Sequence, residues 1–186
     1  MNDASAEFVT RVKMAKLFTP LWSALQDVQS EESGFETVLE MAKKVRNRNK
    51  VYFIGNGGSA AVASHMAIDF FNKGRFATLC FNDPAALTCI ANDHGYRFVF
   101  DFQLMRHAMP GDLLFAISSS GRSGSITEPA KNASRVMDVV TLSGFEPDNP
   151  LRSLGKINFY VPSKDYGTVE IAHLAILHAL IDELAK

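Results

Sequence analysis

Apolar residues in the first fifty positions recur at steps of three and four, which is the spacing of amphipathic helices. In the first segment they are Phe8, Val12, Ala15, Phe18, Trp22 and Leu25. In the second they are Phe35, Val38, Leu39, Ala42 and Val45. The pattern predicts that two helices open the chain.

The first of these helices has an unusually wide apolar surface. Met14 and Leu17 lie off its main stripe, and Pro20 lies within it. Because proline removes a backbone donor and clashes with the preceding turn, we expect the helix to bend or break there. A wide apolar stripe outside the main sheet indicates a subunit interface.

From residue 51 the pattern changes to short apolar runs separated by segments of helical length. These runs cover residues 51–54, 76–81, 113–117, 139–142 and 157–161, and a final amphipathic segment covers 169–184. Such alternation is typical of a parallel α/β sheet. We expect one domain over residues 1–186, with 1–48 as N-terminal helices for oligomer packing and 49–186 as the α/β core.

Charge and composition narrow the class of ligand. The formal net charge is -1 and the basic residues are scattered, so the sequence predicts no nucleic-acid surface. Cys80 and Cys89 lie in apolar runs and are expected to be buried thiols. Neither a leader segment nor a membrane span is recognisable, and the expected compartment is the cytoplasm.

A glycine-rich turn follows the first predicted strand. Residues 55–59 read Gly-Asn-Gly-Gly-Ser and lead into a helix, whose N-terminal N–H groups suit an anion. The turn also satisfies G-x-G-x-x-A, and Asp83 lies where a ribose-binding carboxylate follows in dinucleotide folds. A nucleotide-binding oxidoreductase is therefore one alternative. The turn lacks the lysine of a P-loop, which argues against nucleoside triphosphate hydrolysis.

A second loop of similar character follows the third predicted strand. Residues 118–123 read Ser-Ser-Ser-Gly-Arg-Ser, and their hydroxyl and N–H groups form a neutral, donor-rich surface that fits a phosphate monoester. A dinucleotide fold does not require such a loop. Turn and N-cap chemistry explains either loop alone, but the two together favour a phosphate ester. Whether Arg122 reaches the ligand stays open at this point.

Three segments carry a resemblance to a known family. They are residues 55–59, residues 91–96, which read Ala-Asn-Asp-His-Gly-Tyr, and residues 118–123. In this order they resemble the phosphoheptose isomerases, which are sugar isomerase (SIS) domain proteins. The resemblance implies a flavodoxin-like three-layer α/β/α sandwich with a five-stranded parallel sheet and N-terminal helices. It also implies a homotetramer with active sites between subunits.

The activity implied is an aldose–ketose isomerisation. Sedoheptulose 7-phosphate, or a closely related sugar phosphate, becomes D-glycero-D-manno-heptose 7-phosphate for a surface polysaccharide such as lipopolysaccharide or capsule. The residues implied to hold the substrate are Asn56, Gly57, Gly58, Ser59, Ser118, Ser119, Ser120, Ser123 and Glu170. Asn92 and Asp93 are implied to contact it too. From the residues alone, a helix-terminating turn that leads to Gly95 explains this pair better.

Potential metal ligands lie on two predicted helices. His65 and Asp69 are four residues apart and share one helix face. On the last helix, Glu170, His173 and His178 are candidates, and the two histidines diverge by about 140° around the axis. Spacing alone does not choose between them. It favours the alternative that Asp69 is an exposed helix residue and His178 a packed core histidine.

The resemblance implies a specific ligand set. It comprises His65, Asp69, Glu170 and His178 around one zinc ion per site, with Asp69 as the catalytic base and His178 as its acid–base partner. Asp69 stands where the family has a glutamate, and Glu170 stands where it has a glutamine. An aspartate is one methylene shorter, and catalytic geometry tolerates little displacement.

A non-catalytic phosphosugar-binding SIS protein, such as a tetramer that associates with a replication initiator, is the main alternative to an enzyme. A fold alone does not establish catalysis. We expect a pure scaffold to lack the four-residue constellation of His65, Asp69, Glu170 and His178, and its presence favours the enzyme.

Overall fold

The structure is a computed structural model that describes residues 3–45 and 48–186, with side chains from residue 15 onward within those ranges. The helices are α1 (Asp3–Gln26), α2 (Gly34–Lys44), α3 (Gly58–Asn72), α4 (Pro84–His94), α5 (Asp101–His107), α6 (Gly124–Ala133) and α7 (Tyr166–Leu184). The strands are β1 (Val51–Gly55), β2 (Thr78–Cys80), β3 (Leu113–Ser118), β4 (Asp138–Ser143) and β5 (Ile157–Tyr160). Two short 3-10 helices cover Tyr96–Phe98 and Pro150–Ser153.

The five strands form one parallel sheet in the order β2-β1-β3-β4-β5. This is the flavodoxin-like order, and it confirms the predicted sheet. In such sheets the order reverses between β1 and β3, and a crevice opens there at the carboxyl ends of the strands. Both loops predicted to bind phosphate, residues 55–59 and 118–123, begin at this point of the sheet.

Helices cover both faces of the sheet and give the predicted three layers. One hydrophobic cluster joins α1, α2, α3 and α7 to one face, with Phe53 and Phe115 stacked at its centre. The other cluster joins α4, α5 and α6 to the opposite face around Tyr52 and Leu114. Strands buried on both faces are apolar throughout, which is why short continuous runs marked them in the sequence.

The first helix departs from expectation at Pro20. The helix α1 continues through this residue to Gln26, so the predicted break is wrong. One missing backbone donor does not end the helix, because the remaining hydrogen bonds of the ladder continue past it. None of the helices in the described ranges is long and apolar enough to span a bilayer.

The apolar surface of α1 extends beyond its contacts with the rest of the chain. Its buried contact is at Ala24, whereas Leu17, Phe18 and Trp22 are 57–71% exposed. Phe8, Val12 and Met14 belong to the predicted stripe but lie outside the residues whose side chains are described. Within the chain, an apolar band of α1 thus stays uncovered, whereas α2 buries Val38 and Ala42 as predicted.

The prediction of two buried thiols is wrong for Cys89. Its side chain is exposed on α4 and its Sγ lies 3.6 Å from Asp93 Oδ2. Cys80 on β2 is only partly buried, because β2 is a short edge strand. Burial there raises the pKa of the Cys80 thiol. Apolar runs around a cysteine indicate a buried element, but they do not say which face of it the cysteine occupies.

Candidate active site at the carboxyl ends of the strands

The glycine-rich loop turns sharply from β1 into α3. Gly57 has φ +56°, a backbone conformation that side chains disfavour, and α3 begins at Gly58 without a side-chain cap. The second loop ends in the same way, because Ser123 precedes α6 and makes no capping hydrogen bond. By contrast, Asp83 caps α4 and Asp165 caps α7. The two helices that start at the crevice therefore leave the N–H groups of their first two residues for a ligand.

The side chain of Asn56 connects the two loops. Its Nδ2 donates to Ser125 Oγ at 2.8 Å, and its Oδ1 accepts from the Tyr96 hydroxyl at 2.9 Å. Both ends of the amide are thus held, which fixes its orientation at the mouth of the crevice. Neither partner was identified from the sequence as a site residue, because they are brought to Asn56 only by tertiary structure.

The serine-rich loop buries part of its hydroxyl surface. Ser118 and Ser119 are only 5% and 4% exposed, and Ser119 Oγ has no hydrogen-bond partner among the described residues. An unpaired buried hydroxyl is costly unless a ligand or water satisfies it. Arg122 forms an ion pair with Asp148, with Nη2 and Oδ1 3.0 Å apart, and it does not line the crevice.

A cleft of about 240 Å³ lies between these loops. It is lined by Asn56, Gly57, Gly58, Ser59, Ile117, Ser118, Ser119, Ser120, Ser123, Tyr166 and Glu170. Nine of these residues were expected together from the sequence, and Ile117 and Tyr166 were missed. The lining contains no lysine or arginine, so helix N-termini and hydroxyl groups are its donors.

Glu170 reaches this cleft from the second turn of α7. Its carboxylate lies against Gly58, where a Cβ would overlap Oε2 and lie 2.6 Å from Oε1. Partial burial raises the pKa of the Glu170 carboxyl above its ordinary value. A side chain at position 58 would therefore displace the Glu170 carboxylate.

A separate group of polar side chains lies further along the same two helices. His65 Nε2 is 3.2 Å from His178 Nε2, and Asp69 Oδ2 is 3.5 Å from His178 Nδ1 and 3.9 Å from His65 Nε2. Gly58, His65 and Asp69 share one face of α3, since seven and eleven residues are close to whole numbers of turns. We call His65, Asp69 and His178 the α3–α7 triad.

The α3–α7 triad has the donor set and spacing of a metal site. One ligand atom from each residue can be chosen so that all three lie within 4.8 Å of one another. Tetrahedral zinc sites place nitrogen ligands about 3.4 Å apart, close to the separation of the two imidazole nitrogens here. The residues therefore fit a divalent ion. Glu170 is not part of this group and lies two helical turns, about 12 Å, from His178 along the axis of α7.

Lys73 adds a cation beside the triad. Its Nζ is 3.5 Å from Asp69 Oδ2 and 3.1 Å from Asp182 Oδ1. The hydrogen bond with Asp182 is the main cause of a raised pKa of Lys73, and Asp69 adds to it. The Asp69 carboxylate is 17% exposed, so it is neither a solvated surface group nor fully enclosed.

The two histidines of α7 have different environments. His173 is completely buried, and its Nε2 donates to the Ser143 carbonyl oxygen at 3.1 Å. Burial lowers its pKa to about 4. His178 is 34% exposed and contacts Asp69. The alternative that His178 is a packed core histidine is therefore wrong, and His173 is the core residue.

Asn92 and Asp93 lie apart from both groups. They occupy the last turn of α4, are exposed, and pair with each other through Asn92 Nδ2 and Asp93 Oδ1 at 2.8 Å. This hydrogen bond is the main cause of a lowered pKa of Asp93. The helix ends immediately afterwards at Gly95, with φ +91°. Within one chain they do not line the cleft.

Comparisons with known proteins agree with this architecture. The family profile of the SIS domain matches residues 20–144. The phosphoheptose isomerase of Shewanella sp. (strain ANA-3) is 34% identical over 147 residues, which cover 74% of this chain and 75% of that protein.

Solved structures extend the similarity over almost the whole chain. The phosphoheptose isomerase of Neisseria gonorrhoeae superposes with a TM-score of 0.80 at 27% identity, covering 96% of this chain and 98% of that one. The Francisella tularensis phosphoheptose isomerase has a TM-score of 0.79 at 21% identity over 100% and 99% of the two chains, and it supports the fold alone. The chain belongs to the phosphoheptose isomerase family of SIS-domain proteins.

Proposed function

We propose that this protein isomerises sedoheptulose 7-phosphate to D-glycero-D-manno-heptose 7-phosphate. The observation that carries the proposal is the placement of the donor-rich cleft and the α3–α7 triad along the same pair of packed helices. Relatives at 34% identity are phosphoheptose isomerases, and the heptose product would supply a surface polysaccharide.

The cleft is proposed to hold the phosphate. Its donors are the first-turn N–H groups of α3 and α6 and the hydroxyls of Ser118, Ser119, Ser120 and Ser123. The unpartnered Ser119 hydroxyl would gain its missing partner from a phosphate oxygen. Asn56 and Ser59 complete the wall, and Gly57 and Gly58 let the ligand approach the backbone.

The separation of cleft and triad matches the proposed substrate. Glu170 lines the cleft, and His178 lies about 12 Å further along α7. A seven-carbon chain with a terminal phosphate is on the order of 10 Å long when extended, from bonds of about 1.5 Å. With the phosphate in the cleft, carbons 1 and 2 then lie near the triad.

The chemistry requires a proton to move between these two carbons. Asp69 is proposed as the base that removes the acidic proton beside the carbonyl, which leaves an enediol. Return of the proton to the neighbouring carbon completes the isomerisation. His178 is proposed to exchange the hydroxyl protons, because its Nδ1 lies 3.5 Å from the Asp69 carboxylate and an imidazole exchanges protons near neutral pH.

A zinc ion is proposed at the triad, held by His65, Asp69 and His178. When bound, it would polarise the oxygens of the sugar. Glu170 lines the cleft and is not among the three residues whose ligand atoms lie together, so its proposed role is in the cleft. We propose a homotetramer with active sites between subunits, which would cover the exposed Phe18 and Trp22 of α1 and bring Asn92 and Asp93 of a second copy to a substrate.

The direct test is turnover of sedoheptulose 7-phosphate by the purified protein, before and after metal removal with a chelator. We expect aldose formation that falls on chelation and returns when zinc is added. Magnesium added in place of zinc is the control, since it prefers oxygen ligands. Absence of turnover with zinc present would reject the isomerase and favour a phosphosugar-binding protein.

Gly58→Ala is expected to raise the KM for the sugar phosphate by about tenfold or more, because a displaced wall group misplaces the bound ligand. The added Cβ overlaps the Glu170 carboxylate, which lines the cleft and must shift. Steady-state kinetics measures the effect. Gly167→Ala is the matched control, since its Cβ meets only Asp165 Oδ1 at an ordinary 3.5 Å. An unchanged KM in Gly58→Ala would show that Glu170 has room to move elsewhere.

A further inference from the structure

A buried asparagine lies directly beneath the turn of the serine-rich loop. Asn149 is 2% exposed and immediately precedes the 3-10 helix Pro150–Ser153. Its side chain touches Gly121, where a Cβ would overlap Asn149 Oδ1 and lie 2.9 Å from Asn149 Cβ. The backbone N–H of Leu151 also donates to the Gly121 carbonyl oxygen at 3.1 Å. The loop thus packs on this segment at Gly121, beside the ion pair of Arg122 with Asp148.

Asn149 itself is held from several directions. Its Nδ2 donates to the Glu146 carbonyl oxygen at 2.8 Å, to the Gly144 carbonyl oxygen at 3.2 Å and to Ser143 Oγ at 3.3 Å. Its Oδ1 accepts from the Arg152 N–H at 3.2 Å. The amide cannot rotate without losing these bonds, so it forms a rigid support at the end of β4.

Gly121, which packs on Asn149, determines the shape of the serine-rich loop. Gly121 has φ +62°, and its N–H donates to the Ser118 carbonyl oxygen at 3.0 Å, which closes the turn that carries Ser119 and Ser120. A shift of Gly121 would move both of these cleft residues. From these contacts we propose that Asn149 is a positioning residue, which sets the serine-rich loop in the geometry that binds a phosphate ester. The proposal rests on the phosphate-binding role of the cleft proposed above.

If Asn149 contributed only to folding, a different result would be expected. In that case the loss of Asn149 would lower stability without a specific effect on anion affinity. The chain offers a matched control in Asn158, which is also 2% exposed. Its Nδ2 donates to Thr141 Oγ1 at 2.9 Å and to Ser143 Oγ at 3.1 Å, and within the described ranges it makes no hydrogen bond to the serine-rich loop.

The experiment compares Asn149→Ala with Asn158→Ala in the full chain. Thermal denaturation reports stability, calorimetric titration with inorganic phosphate reports anion affinity, and steady-state kinetics reports KM and kcat. We expect both variants to lose stability. Only Asn149→Ala should weaken phosphate affinity and raise KM, by about tenfold each, with a smaller change in kcat. A wild-type phosphate affinity in Asn149→Ala would overturn the proposal.

A second variant keeps the test valid if Asn149→Ala does not fold. Gly121→Ala places a methyl group against Asn149 Oδ1 and should weaken phosphate binding in the wild-type background. The double variant with Asn149→Ser removes the overlap with Oδ1 but not the backbone strain at φ +62°, so only part of the affinity should return. Identical effects of Gly121→Ala in both backgrounds would contradict the proposed coupling.

The two proposals fail in different ways. If wild-type protein turns over sedoheptulose 7-phosphate and Asn149→Ala keeps its KM and phosphate affinity, the positioning role is wrong and the function stands. If wild-type protein binds phosphate without turnover, the function is wrong, and the phosphate titrations still decide the role of Asn149. Wild-type protein that neither binds phosphate nor turns over substrate overturns both.

Discussion

Asp69→Asn is expected to reduce kcat by about 10²- to 10⁴-fold, the usual contribution of a positioned general base. The amide keeps the shape of the side chain but cannot accept the proton, and it is a weaker metal ligand than a carboxylate. The affinity for inorganic phosphate should stay unchanged, because Asp69 lies three turns along α3 from Gly58 in the cleft. Kinetics and phosphate titration on the same preparation separate the two properties.

Glu183→Gln is the control for this substitution. It makes the same change in charge on α7, where the carboxylate of Glu183 contacts Lys186 and is not one of the triad residues. Its kcat should match that of the wild-type protein. Asp69→Glu keeps the carboxylate and should retain more activity than Asp69→Asn. A wild-type kcat in Asp69→Asn would remove Asp69 from the reaction.

His173 is expected to make the folded protein less stable as the pH falls from 6.5 to 4. Burial lowers its pKa from 6.5 to about 4 in the folded state. Between these values the unfolded chain binds a proton that the folded chain does not, so the free energy of unfolding rises with pH over this window. The full shift corresponds to about 3 kcal/mol. Stability from this source is complete above pH 6.5.

Urea denaturation at several pH values, compared between wild type and His173→Gln, measures this contribution. The glutamine amide does not titrate and is able to donate to the Ser143 carbonyl oxygen, so the variant should lose about 3 kcal/mol of the pH dependence. His94→Gln makes the same change at an exposed histidine that stacks on Phe102 and should keep the wild-type slope. Parallel curves for wild type and His173→Gln would contradict the prediction.

The sheet was predictable because its strands are buried on both faces. Short apolar runs at 51–54 and 113–117 correspond to β1 and β3 within one residue. The run at 76–81 was too long, since β2 is an edge strand that covers only Thr78–Cys80. Strand order does not follow from these runs, because hydrophobic periodicity is a local property and the neighbours of a strand depend on its crossovers.

The sequence predicted the parts of the site that are formed by loops. It did not predict the parts that are formed by contacts between distant segments. Both loops of the cleft were visible as clusters of glycine and serine after a strand. The links from Asn56 to Tyr96 and Ser125 join residues 40 and 69 positions apart, and no spacing rule signals them. Glu170 was expected both in the cleft and at a metal. It lines the cleft beside Gly58, and its role as a metal ligand stays a prediction.

The charges that line the junction of α3 and α7 also bear on how the protein behaves without an ion. The negative charges of Asp69 on α3 and Asp182 on α7 are separated by the positive charge of Lys73. Its Nζ lies between the two carboxylates. Metal binding is coupled to folding where the ligands come together only when the ion binds. Here Lys73 supplies a positive charge beside Asp69, and α3 and α7 pack through a shared apolar core. The metal-free protein should therefore keep its fold and accept an ion into a junction that is already assembled.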